Sequence, residues 1–153
     1  MSTTYNFSLL SIPLYYILAV IPHGQAMAIA SRGGGGRHDN RNPKSSDFIA
    51  KLKSKLSARD FARFERAESC HRNHFENMPL FVASVLASLF VERQTGVKLD
   101  TGLNAALILG TRVLYTLNYE TQKWSYVRSM LYFISVGLCF RMILRAAKAL
   151  GDE

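Results

Sequence analysis

Cysteine is scarce in this sequence, acidic residues are outnumbered, and tryptophan occurs once. Two cysteines, Cys70 and Cys139, in 153 residues make neither a disulfide framework nor a metal site. Each sits in an apolar or helical stretch, where a free cysteine behaves as a small packing residue. The histidines, His23, His38, His71 and His74, lack zinc-ligand spacing, so no metal is expected. Lys and Arg total 19 against 11 Asp and Glu, a formal net charge of +8. Such an excess suits nucleic acid, acidic partners or an anionic membrane face. No zinc-finger spacing, RNP-type aromatic pattern or basic heptad region accompanies it, so no nucleic-acid partner is expected.

What the chain has is long apolar runs. A bilayer core about 30 Å thick needs about 20 helical residues. The first run, about Tyr5 to Ala30, has no charged residue unless His23 is protonated. It is too long, and too poor in N-terminal positive charge, for a signal peptide. Pro13 and Pro22 would break a soluble helix, but neighbouring helices in a membrane can satisfy the freed carbonyls. The second run, Met78 to Val91, is too short to cross alone and must extend back through the polar stretch 66–77. The third is about Leu103 to Tyr119 and the fourth about Trp124 to Leu144. The sequence predicts an all-α fold: an integral membrane four-helix transmembrane bundle forming one domain over 1–153. Its helices are expected at about 5–30, 60–92, 101–120 and 124–148. A soluble basic helical protein would have to bury all four runs in a chain this small.

Loop charge orients the bundle. Ten Lys and Arg fall between Ser31 and Arg66, but only Arg93 and Lys98 near the second connection. By the positive-inside rule the first loop is cytosolic and both termini lie on the other side. That loop opens with a Gly-rich flexible linker, 31–46. From Ser46 it becomes helix-like, with Phe48, Leu52, Leu56, Phe61 and Phe64 at helical spacing. An interfacial or extended helix leading into the second span is expected there.

Ionisable residues inside spans cost about 2.5–3.5 kcal/mol on insertion scales, so they should face the bundle interior. Asn73 and Glu76 lie three apart and share a helix face, with Arg66 further upstream. Arg72 and Glu76 are four apart and can pair. Arg112, Tyr115 and Tyr119 form one stripe at i, i+3 and i+7. Arg128 and Ser129 enter the fourth span near the same level. Singly, the arginines suit snorkelling to headgroups and the tyrosines suit an interfacial belt. Their convergence suits a zwitterionic peptide with two carboxylates, because arginine holds carboxylates bidentately. An arginine beside a thiol also favours the thiolate, the nucleophilic form.

The stretch RAESCHRNHFENMPLF, 66–81, resembles the signature of the membrane-associated proteins in eicosanoid and glutathione metabolism. Its markers are Asn73, Glu76 and Pro79 ahead of an apolar run. Arg112, Tyr115 and Tyr119, followed by Arg128-Ser129, are similar to the third-to-fourth helix motif of its microsomal prostaglandin synthase and glutathione transferase members. The resemblance covers nearly the whole chain and is to the fungal branch. It implies a homotrimer in the endoplasmic reticulum membrane that binds glutathione in a bent form between subunits. Arg66, Arg72, Asn73, Glu76, Arg112, Tyr115 and Tyr119 would line that site. Arg128 would activate the thiol and Ser129 would assist. A lipophilic electrophile or lipid hydroperoxide would be the second substrate. The sequence departs at Ser69, where several members carry arginine, and at Tyr115, where some carry histidine. The first-loop arginine of some members corresponds to either Arg32 or Arg41. The alternative is a non-catalytic lipid-binding or scaffold member of the same fold.

Overall fold

The computed structural model describes residues 5–33, 45–121 and 124–151, and every element among them is helical. The order is α1 (Phe7–Gly33), α2 (Ser46–Lys55), α3 (Ala58–Thr95), α4 (Thr101–Thr121) and α5 (Ser125–Gly151). Most of the Gly-rich linker lies outside the described residues, as does Arg41.

Each boundary has a local cause. Asn6 caps α1, its side-chain oxygen accepting from the Leu9 amide at 3.1 Å. The helix-like stretch after Ser46 is two helices, not one leading straight into the second span. Leu56 turns extended and Ser57 restarts the chain as the cap of α3. The Ser57 hydroxyl accepts from the Asp60 amide at 3.1 Å, so Ser57-Ala-Arg-Asp60 is a capping sequence inside an apparently continuous pattern. Ser57→Ala is expected to lower the stability of the α3 start by about 1 kcal/mol, read as a lower melting temperature in detergent. Gly96 ends α3 in the left-handed region, at φ 74°.

Three helices are long and apolar enough to cross a membrane: α1, α3 and α5. The predicted third span, α4, is long enough at 21 residues but less apolar. Thr101, Asn104, Thr111, Arg112, Thr116 and Asn118 dilute its run. Proline does not interrupt the spans: Pro13 and Pro22 lie inside α1 and Pro79 inside α3. His71 Nδ1 donates to the Ala19 carbonyl at 2.8 Å, in the turn where Pro22 opens the α1 ladder.

The molecule is apolar outside and mixed within. Leu14 and Ile17 on α1, Phe90 on α3, Leu103 and Leu114 on α4, and Phe133 and Leu144 on α5 are all exposed. Inside, Ser11, Ser84, Ser88, Thr116 and Ser135 are buried. Most bond back to their own helix: Ser11 to Ser8, Ser84 to Phe81, Ser135 to Tyr132. Small side chains that satisfy themselves let helices approach where burial from lipid offers no drive. Tyr15, Phe81, Val85, Ala105, Ile108, Cys139 and Met142 form the main core cluster. α2 docks through Leu52 beside Ala26, Phe61 and Phe64.

The α3–α4 connection is pinned by Glu92, which accepts from the Leu99 amide at 2.9 Å and the Thr101 amide at 3.2 Å. Arg145 of α5 closes the same end, donating to the Leu99 carbonyl at 3.0 Å. Glu92→Ala is expected to destabilise the protein by about 2–3 kcal/mol, since two amides lose a charged acceptor. The drop in melting temperature should exceed that of Ser57→Ala. A smaller drop would remove Glu92 from this role.

Candidate functional site

The site lies on the seam of α3, α4 and α5, and begins with Arg112. Its side chain is only 1% exposed. Nη1 donates to Asn73 Oδ1 across the α3–α4 contact at 3.0 Å. The guanidinium carbon sits 5.4 Å from the Tyr115 ring centre and 5.7 Å from that of Tyr132. Nε has no partner, and no ion pair holds this cation among the described residues. A buried guanidinium served by one amide oxygen and two ring faces is under-compensated.

The α4 stripe continues from there. Tyr115 is buried and its ring lies 5.4 Å from that of Tyr119. Arg128 reaches over from α5 and places its guanidinium carbon 4.7 Å from the Tyr119 ring centre. The predicted residues Asn73, Arg112, Tyr115, Tyr119 and Arg128 therefore form one continuous chain of contacts. It runs from Asn73 at one end to Arg128 at the other, and neither of its arginines has an ion pair among the described residues.

Four other predicted residues do not join this chain. Arg72 and Glu76 are exposed, and no ion pair joins them among the described residues. Helical arithmetic explains why. Residues four apart differ by about 40° in direction, so Arg72 and Glu76 share a face, and it is the outward one. Asn73 is about 100° round from Arg72 and looks at α4. Arg72 lies on a cleft of about 720 Å³ with His23, Glu68, His71 and Phe75. His23 Nδ1 meets Glu68 Oε1 there at 2.7 Å. Ser129 is exposed and its hydroxyl makes only a 3.5 Å contact to the Ser125 carbonyl. Arg66 lines a separate cleft of about 240 Å³, together with Arg32 and Tyr119.

Sequence reasoning missed His74 and Tyr132. His74 is fully buried, its ring edge-on to Tyr15 and Tyr115. Its Nε2 lies 2.9 Å from Thr116 Oγ1. The Thr116 hydroxyl spends its one proton on the Arg112 carbonyl at 3.0 Å. Nε2 must therefore carry the hydrogen, which fixes the tautomer and leaves the buried Nδ1 without a partner. His74 and Thr116 thus brace the turn of α4 that carries Arg112. The available signal was Thr116, which sits at i+4 from Arg112. Tyr132 likewise lies at i+4 from Arg128, one turn further into α5.

Chemically, the seam offers two cations, an amide and phenols facing one another, a donor set for an anionic ligand. Among the described residues no group of His, Cys, Asp and Glu is placed to hold a metal ion. No curated protein and no solved structure gives a significant match to the chain. A family model does, over residues 7–148. Its match and the three apolar helices together make this an integral membrane protein. The matched region takes in every residue of the seam, and the chain belongs to the MAPEG family.

Proposed function

We propose that the chain is a glutathione-dependent membrane enzyme acting on lipophilic electrophiles or lipid hydroperoxides. The observation that carries this reading is Arg112, a buried guanidinium with an unpartnered Nε and no carboxylate. Such a group asks for an anion, and glutathione brings two carboxylates. Arg112 and Asn73 would hold one end of the peptide, and Tyr115 and Tyr119 would flank it. Arg128 would face the thiol and favour its ionised form. One charge-assisted hydrogen bond contributes about 1.5–3 kcal/mol, enough to lower a free thiol pKa of about 8.5 to neutrality or below. The thiolate then attacks the electrophilic carbon, and the leaving group departs with its electron pair. Reducing a hydroperoxide consumes two glutathione thiols and yields the alcohol, water and the disulfide.

Four membrane crossings belong to the same proposal. α4 supports a fourth crossing through its exposed Leu103, Leu107, Leu114 and Leu117. The outward faces of Arg72, Glu76 and Ser129 suit a site completed by a neighbouring copy, as in a homotrimer. The first loop would be cytosolic and the membrane that of the endoplasmic reticulum. The test is glutathione consumption by detergent-solubilised protein with an aryl halide. Turnover above the uncatalysed rate supports the enzyme, and none at any glutathione concentration overturns it.

The same exposed residues favour a second reading, a non-catalytic lipid-binding or scaffold member. That reading predicts no saturable glutathione binding even when the protein is folded.

A further inference from the structure

The end of the molecule remote from the first loop carries a second set of cations. Here α3 runs into α4, α5 finishes, and Phe7 and Ser8 of α1 lie against Gly102. Arg141, Arg145 and Lys148 stand at i, i+4 and i+7 on α5. At about 100° per residue they fall within about 60° of one another, on one face of the helix. None of the three has a carboxylate partner among the described residues. Nearby, Glu92 accepts from the Leu99 and Thr101 amides, and Asp100 lies 3.9 Å from Lys98. Arg145 is held by neutral oxygens, donating to the Leu99 carbonyl at 3.0 Å and to the Lys98 carbonyl at 3.3 Å. Arg141 donates to Asn104 Oδ1 at 3.5 Å. A guanidinium has five donors, so both arginines keep donors to spare. Like charges one turn apart on a helix repel, and an anion shared between them removes that cost. The helix dipole does not account for the set. Its effect is confined to the last turn, and Arg141 lies well inside α5, which runs on to Gly151.

Depth says which anion meets this face. Arg128 and Lys148 are separated by about 30 Å along α5, the thickness of a bilayer core. With Arg128 at one headgroup level, Arg145 and Lys148 lie near the other. The Arg141 guanidinium reaches toward the same level, since its partner Asn104 is in the first turn of α4. The face that carries the three cations continues toward mid-membrane as Ile134 and Met130, both exposed. A cationic end above an exposed apolar face matches an amphiphile with an anionic head. We infer that Arg141 and Arg145 bind the phosphate of an anionic bilayer lipid in the leaflet opposite the first loop. Lys148 adds its charge at the rim. Phosphate offers acceptor oxygens to both guanidinium forks at once. A zwitterionic head brings its own cation to the same place and so gains less. Basic groups at the membrane surface are suited to anionic headgroups. Arg141 is about 20 Å along α5 from Arg128 and belongs to no part of the seam. The inference therefore does not depend on the glutathione reading.

The test is the melting temperature of purified full-length protein in a neutral detergent. The added probes are dihexanoyl phosphatidic acid, dihexanoyl phosphatidylcholine and inorganic phosphate. Phosphatidic acid at saturation is expected to raise the midpoint by about 5 °C, and phosphatidylcholine to leave it unchanged. Arg141→Gln, whose one bond is the long contact to Asn104, should fold and lose most of the shift. Arg63→Gln, at the other end of the bundle, should keep the full shift. That pair separates a site on α5 from general attraction between a basic protein and an acidic lipid. Glutathione binding, where it is measured, should be unaltered in Arg141→Gln. No shift with phosphatidic acid, or an equal shift with phosphatidylcholine, overturns the inference. So does a shift that survives in Arg141→Gln or is lost equally in Arg63→Gln. An equal shift with inorganic phosphate at the same concentration makes free phosphate the ligand and overturns the assignment to a lipid. A midpoint that rises with protein concentration and not with lipid gives the face to a second copy of the chain, and overturns it too.

Discussion

Arg128→Ala is expected to lower glutathione conjugation about 10- to 100-fold at pH 7, since the proposed contact to the thiolate, about 1.5–3 kcal/mol, would be lost. The deficit should depend on pH in a defined direction. With Arg128 present, the proposed contact would keep a bound thiol ionised near neutrality, so the rate should be flat above it. Without Arg128, the thiol returns toward its free pKa of about 8.5, and the rate climbs as pH rises through that value. The two profiles should therefore converge toward pH 9. Arg128→Lys keeps the charge but loses the planar fork and should fall between them. A deficit that stays constant across this range would assign Arg128 to shape rather than to thiol ionisation. The KM for glutathione should move less than kcat, because Tyr119 and Arg112 would still hold the peptide.

The second large effect concerns Arg112, and here stability and binding should move apart. Arg112→Met removes a guanidinium that is buried with one amide partner and no carboxylate. Replacing an under-compensated buried charge with an apolar side chain of similar length is neutral or stabilising in many proteins. The melting temperature should therefore hold or rise. Glutathione affinity should fall about 30- to 1,000-fold, the loss of a charge-assisted contact of about 2–4 kcal/mol. Asn73→Leu makes the opposite change, taking away the acceptor at 3.0 Å and leaving the charge in place. That variant should lose about 1–3 kcal/mol of stability. Equal destabilisation by both would mean that Arg112 is a structural cation, compensated by its ring contacts alone.

The helical class was legible because run length is a direct physical requirement of crossing a bilayer. The predicted third span, α4, is harder to read as a crossing, since Asn104, Arg112 and Thr116, buried in the interior, dilute its apolar run. The Arg112-Tyr115-Tyr119 stripe was legible because helical spacing alone puts those residues on one face. Spacing cannot say which neighbour that face meets. For that reason Glu76 was grouped with Asn73, although the structure turns it outward while Asn73 meets α4. Ser57 was hidden because the apolar pattern from Phe48 to Phe64 keeps helical period across the break. His74 was hidden because its role comes from Tyr15 and Thr116, remote in sequence and brought to it by packing.

Separate helices presenting their arginines, amide and phenols to one small thiol peptide is a claim about binding, and calorimetry reads binding directly. Glutathione titrated into purified protein in detergent should give saturable heat, greatly weakened in Arg112→Met at an unchanged melting temperature. A wild-type titration with no saturable heat up to millimolar glutathione, on protein that melts cooperatively, would contradict it.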